Sequence, residues 1–257
     1  MTGKNKASRE ITATKKAFDI VETIVELDGA GVSDIAAEVE MSKSTVHAHL
    51  ASLISCGYVV KENETYELSL AFLNLGTYAR NNLDIFKFVK PKVDELAEDT
   101  DYRAQYMIEQ HGHAIHVYRA VGDNTVPTNA RIGKPRYLHT TAAGKAILAS
   151  LPAEKVEHII EQTNLQPATE NSITDKEELY EELEAVRERG YAFNIRESIQ
   201  NVSAVGAPIN PDAETQMGAI SISGPSYRME KDNYIHEELP DILLSAIEEI
   251  ELNIEYS

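Results

Sequence analysis

One cysteine, Cys56, stands in a chain of 257 residues. It leaves no internal disulfide framework and suits a reducing cytoplasm, where the protein is expected to reside. No Cys/His cluster has the spacing of a zinc site, so neither a metal nor another cofactor is expected. No apolar run is long enough to cross a bilayer, and the polar, basic opening residues lead into no apolar stretch, so no signal peptide is expected. Gly190, Gly206 and Gly218 build no phosphate loop, and no nucleophile stands with a base in a recognisable motif. These absences argue against an enzyme. Basic residues are scarce too: 24 Lys/Arg against 42 Asp/Glu give a formal charge of −18.

The acid surplus is unevenly placed. Residues 1–80 hold eight Lys/Arg against eleven Asp/Glu, and the remainder 16 against 31. Five of the eight basic residues, Lys4, Lys6, Arg9, Lys15 and Lys16, precede Ala17, as a basic arm would. Carboxylates in this excess keep a protein hydrated in a salt-rich cytoplasm, such as that of a halophilic archaeon.

The chain is organised around Val32 to Tyr58. Ser42 can cap a helix, because its hydroxyl can accept from the free N–H groups of the first turn. Val46, Leu50 and Leu53 recur at i, i+4 and i+7, which defines one buried stripe. The opposite side carries Ser44, Thr45, His47, Ala48, Ala51 and Ser52, without the Glu and Lys of a solvated face. Such a side suits close approach to another surface. Ahead of it, Ser33 is placed to cap a short helix, Asp34 to Val39. Behind it, Cys56–Lys61 and Thr65–Leu68 read as a two-stranded wing around Glu62-Asn63-Glu64. Together these form a winged helix-turn-helix whose second helix enters the DNA major groove. Lys43, Ser44, Thr45 and His47 are the expected DNA contacts, although capping accounts for Ser42 and in part for Ser44. Lys61 on the wing can reach a phosphate, with Glu62 and Glu64 opposing it. His49 flanks the stripe and is expected to pack.

Around this unit the periodicity predicts a first helix over Thr12–Leu27 and further helices around Leu70–Leu75 and over Ile85–Asp99. The divisions expected are a DNA-binding domain over 1–70, a helical linker over 71–100 and a second domain over 101–257. In the latter, 103–109 and 114–119 read as strands and 125–138 as irregular chain. Helices follow at 141–151 and 175–189, the second with a capping box of Thr174 and Glu177 and a stop at Gly190. Strands are expected over 191–195, 202–209 and 217–223, then a last helix over about 230–252. The order suits an α+β fold with an antiparallel sheet. His111, His113 and His116 are expected to be solvent-exposed, since residues three apart in a strand face opposite sides and make a poor chelate.

The motifs run in an order that resembles the IclR family of transcriptional regulators over most of the chain. The matching stretches are Val32-Ser-Asp-Ile-Ala36, Lys43-Ser-Thr-Val-His47, Gly57-Tyr-Val59, Tyr66-Glu-Leu68, His139-Thr-Thr-Ala-Ala-Gly-Lys-Ala146, Arg187-Glu-Arg-Gly-Tyr191, Ala207-Pro-Ile209 and Ile220-Ser-Ile-Ser-Gly-Pro225. The resemblance implies a winged helix-turn-helix, a linker helix and a GAF-like effector domain. It also implies a double-stranded DNA operator as partner, dimers through the DNA-binding part, often paired into tetramers, and a small metabolite as effector. Pocket positions carried over are Thr128, Arg136, Ala142, Ala143, Asn194, Val202, Ala204, Ser221 and Ser223. Ala48 departs from the Arg usual in the family's recognition helix, Ala204 from a frequent Cys, and Asn201 from a frequent Gly.

Arg136 is the only charge in that implied pocket, and a guanidinium pairs with a carboxylate through two parallel hydrogen bonds. A sugar acid or organic acid is therefore expected over an aromatic or a cation, provided Arg136 does not point to solvent. The competing reading is a small-molecule-binding enzyme or a sensor module without a DNA role. Ser221 and Ser223 alternate on a strand and share a face, which fits hydrogen bonding to a ligand without a catalytic base.

Overall fold

Helix α1 (Thr12–Glu26) turns Ile20, Val21 and Ile24 inward over a small core that it shares with α2 (Val32–Glu38) and α3 (Lys43–Ser55). This description rests on a computed structural model, which describes residues 10–123, 131–210 and 217–256. The chain divides into two units, Met1–Asn82 and Leu83–Ser257. In the first, Ile35, Val46 and Leu50 are fully buried, and strands β1 (Val59–Glu62) and β2 (Thr65–Leu68) pair antiparallel as the wing. Helix α2 starts two residues earlier than the sequence suggests. Its cap is the extended Gly31, and Ser33 lies inside the helix. Asp34 then sits in the first turn, where a carboxylate favours the helix dipole. Helix α4 (Ala71–Asn81) closes this unit and buries none of its residues.

The second unit is a six-stranded antiparallel sheet in the order β5-β4-β3-β8-β7-β6. Its strands are β3 (Arg103–Gln110), β4 (His113–Val121), β5 (Pro135–Tyr137), β6 (Ala192–Ile195), β7 (Val202–Pro208) and β8 (Ala219–Pro225). One face carries Ala104, Tyr106, Val117, Val205, Ile220 and Ile222. Helices α5 (Phe86–Thr100) and α11 (Leu239–Glu255) pack on it through Val89, Val93, Leu96, Leu243 and Ile250. The other face is covered by α6 (Ala142–Ser150), α7 (Ala153–Thr163) and α8 (Lys176–Arg189), which share Ile147, Leu148, Val156, Leu179 and Leu183 as core.

Helix α8 is capped by Asp175, whose carboxylate accepts from Glu178 N at 3.0 Å, and not by Thr174. It ends at Gly190, whose φ of +85° suits a residue without Cβ. Three regions differ from expectation. Residues 153–163 form α7, and β5 lies in the stretch expected to be irregular. The last helix is broken into α9 (Ser226–Met229), α10 (Tyr234–Glu237) and α11. Asp232 and Asn233 are left-handed at the break, and Pro240, which has no N–H and would clash with the preceding turn, stands at the start of α11.

Candidate functional site

The expected site residues fall in two places, one in each unit. In the first unit, Ser42 caps α3 by accepting from Thr45 N at 3.2 Å. Its hydroxyl also lies 2.9 Å from that of Ser44 and 2.8 Å from that of Thr45, so both are tied to the cap. Lys43, Ser44, His47, Ala48, Ala51 and Ser52 are exposed on one side, with Val46 and Leu50 buried opposite. His49 is half-buried, as packing requires. Ser52 donates to Ala48 O at 3.0 Å, which keeps that side short. Lys61 on the wing pairs with Glu64 at 3.5 Å and lies over the Tyr66 ring, so its charge is partly offset. Lys4, Lys6 and Arg9 lie outside the described residues.

In the second unit, the sheet face toward α6 opens into a cavity of about 50 Å³. Its lining includes Arg136, Ala142, Asn194, Val202, Ala204, Ser221 and Ser223. Ala143 does not line it, because that side chain turns into the core beneath α6. Thr128 lies outside the described residues. Arg136 is half-buried and lines the cavity, so it is not a purely solvent-facing group.

Residues not expected at the site complete the wall: Arg103, Gln105, Met107, His116, Thr141, Ser198 and Ile199. Register explains the set. Arg103, Gln105 and Met107 alternate along β3 opposite Ser223, Ser221 and Ala219 of β8, so all share one face. His116, expected to be exposed, is 5 % exposed and sits opposite Met107 on that face. A register shift at this point of the β3–β4 pair breaks strict alternation along β4.

The electrostatics are one-sided. Arg103 and Arg136 line the cavity, and no Asp or Glu does among the described residues. Burial comes first in depressing His116, to about 4, and the charges of Arg136, Arg119 and Arg103 add to it. The imidazole is therefore neutral at pH 7. Its Nδ1 is buried with no hydrogen-bond partner among the described residues.

The rear wall is held by a buried polar relay. Asn194 Nδ2 donates to Thr140 O at 2.8 Å and to Ser198 Oγ at 2.7 Å, while Oδ1 accepts from Glu197 N. Those bonds engage the whole amide, so Asn194 shapes the wall. Lys145, 2 % exposed, donates to Glu197 at 2.8 Å. Burial pushes the Glu197 carboxyl up, and Lys145 opposes that shift. Thr141 caps α6 by accepting from Gly144 N at 3.0 Å. Gly206 lets α6 lie on β7: a Cβ there would fall 2.5 Å from Ala143 N.

Comparison with known proteins agrees in both units. The IclR helix-turn-helix domain matches residues 13–63, and the IclR C-terminal domain of bacterial transcriptional regulators matches 77–251. The probable HTH-type transcriptional regulator ArcR of Halobacterium salinarum is 32% identical over 255 residues, 98% of this chain and 97% of its own. The HTH-type transcriptional regulator KdgR of Escherichia coli is 26% identical over 98% of this chain and 96% of its own. Among solved structures, the IclR of Thermotoga maritima superposes with a TM-score of 0.77 at 26% identity, covering 95% of this chain and 99% of that one. An IclR homologue from Microbacterium hydrocarbonoxydans, complexed with 4-hydroxybenzoate, shares the fold with a TM-score of 0.81 at 19% identity, over 95% of this chain and 100% of that one. No described helix is long and apolar enough to cross a membrane. The chain belongs to the IclR family of transcriptional regulators.

Proposed function

We propose that the chain binds an operator through Lys43, Ser44, Thr45 and His47 of α3, with Lys61 at the wing, and that a small acid in the α6 cavity modulates that binding. Residues 1–70 serve as the DNA-binding domain, 71–100 as the linker and 101–257 as the effector domain. The observation that carries the effector reading is a cavity lined by Arg103 and Arg136 with no carboxylate among its described lining residues. Guanidinium groups lining a cavity favour an anion there, and hydroxyls such as Ser221 then fix its orientation. The effector class is a small carboxylated or hydroxylated metabolite, a sugar acid or organic acid.

A second copy of the chain completes the DNA reader. One recognition helix reads only a few base pairs, so two-fold pairing extends the site. Phe18 and Leu27 of the α1 region, and Leu70, Leu73, Leu75 and Tyr78 around α4, are exposed apolar residues that support such pairing. Sedimentation of Leu73→Glu/Tyr78→Glu should give a monomer where the wild type gives a dimer or tetramer; an unchanged mass would move the interface elsewhere.

The effector arm is tested with Arg136→Ala. Its operator affinity without ligand should equal that of wild type, and a panel of small carboxylates that shifts the wild type should no longer act. A mutant that still responds fully removes Arg136 from the site and with it the carboxylate argument.

A further inference from the structure

Several polar groups along the cavity already have partners. Gln105 Nε2 donates to Ser223 Oγ at 3.1 Å, the Asn194 amide is engaged in the rear wall, and Thr141 Oγ1 accepts from Gly144 N at the start of α6. The His116 ring stands apart. It lines the cavity at 5 % exposure, and its buried Nδ1 has no hydrogen-bond partner among the described residues. A buried polar atom left unpaired is costly, and a ligand group that meets it removes that cost.

Strand register sets what stands beside it. His116 and Ala114 alternate on one face of β4, before the register shift, and Arg136 of β5 pairs with Ala114. Arg136 is therefore the diagonal neighbour of His116 on the adjacent strand, about 7–8 Å away between backbones, a gap that long side chains span. Opposite His116 on β3 the wall is the apolar Met107. A volume of about 50 Å³ admits only a compact occupant. A molecule seated with its carboxylate on Arg136 thus brings its next one or two carbons toward the imidazole. That ring titrates at about 4 and is neutral near pH 7, so one nitrogen donates and the other accepts. A hydroxyl, which both donates and accepts, satisfies Nδ1 in either tautomer. A methyl or methylene satisfies it in neither.

We propose that His116 is the specificity-determining residue of this cavity and selects a hydroxy acid: the ligand's carboxylate meets Arg136, and a hydroxyl one or two carbons away meets His116 Nδ1. This rests on the reading of the cavity as an anionic-effector site and narrows it to acids that carry both groups. The contact is a hydrogen bond to a neutral ring, and no covalent bond changes.

The test is calorimetry of the full chain at pH 7 and fixed ionic strength with propionate, lactate and 3-hydroxypropionate, which differ by one oxygen atom. At least one hydroxy acid should bind about five- to tenfold tighter than propionate, the effect of one neutral hydrogen bond. His116→Phe, which fills the space of the ring without a polar atom, should bring that ratio close to one. His116→Gln, which restores a donor and an acceptor, should recover part of it, and so separates a lost contact from a disturbed fold. Equal affinity of the wild type for all three acids, or a preference that survives in His116→Phe, overturns the proposal and leaves the anionic-effector reading standing. Failure of all three acids to bind overturns both.

Discussion

At the residue scale, His116 shows where local pattern and tertiary setting part. A histidine on a strand ending in a His-Gly-His turn reads as surface, and the turn itself is as expected, with His111 and Gly112 at positive φ. The register shift at Tyr106/Met107 sets His116 opposite Met107, in the wall of a cavity that Arg103 and Arg136 also line. Such a bulge leaves no trace in residue type. Arg103, Gln105 and Met107 did leave one, since they alternate, but β3 is buried on both faces along most of its length and the polar/apolar contrast is lost. The His116 environment has a measurable consequence. Its folded value lies below the 6.5 of the free side chain, so the unfolded chain binds more protons between about 4 and 6.5. Stability contributed by the neutral ring is thus present above 6.5 and lost as pH falls through that window, to the extent of about 3 kcal/mol. His116→Gln should flatten the urea-unfolding midpoint against pH over that range. An unchanged slope would place the acid sensitivity in other groups.

At the scale of elements, sequence served well where one face is buried and poorly where none or both are. Helix α3 is legible because Val46 and Leu50 recur opposite exposed Ser44, His47 and Ala51. The wing and α8 follow the same logic, with Leu179, Leu183 and Val186 on one stripe. Helix α7 is not among the expected helices, although Val156, Ile159, Ile160 and Thr163 form the same kind of stripe. Helix α6 is different. All eight residues from Ala142 to Ala149 are buried, so periodicity says nothing about which of them face the ligand, and the resemblance placed both Ala142 and Ala143 there. Only the packing separates the two. The tight seating of α6 on β7 predicts that Gly206→Ala, whose new methyl would meet Ala143 N and Ala142 C within 2.6 Å, displaces the helix. A loss of about 1–3 kcal/mol in denaturant unfolding is expected, together with weaker effector response. Wild-type stability and response in this variant would show that α6 moves freely over the sheet.

At the scale of the whole molecule, charge shapes the behaviour. The chain carries −18 in sum, and the basic residues near α3 are few. Each phosphate neutralised releases counterions, so few contacts mean a shallow dependence of affinity on salt. Operator affinity is expected to persist at high salt; a fall as steep as that of proteins with six or more phosphate contacts would show that the basic arm dominates binding. The central claim is that α3 reads DNA and the α6 cavity gates it. It is tested most directly by fluorescence anisotropy of one duplex, recovered by selection from a random pool with the full chain. Wild type, His47→Ala and Arg136→Ala are titrated with and without a panel of small carboxylates. The expected result is that His47→Ala keeps its helical circular-dichroism signal and loses about tenfold or more in specific affinity, comparable to one good base contact. Arg136→Ala is expected to bind the duplex as wild type does and to ignore the acids. Normal affinity in His47→Ala, or a full ligand response in Arg136→Ala, would contradict it.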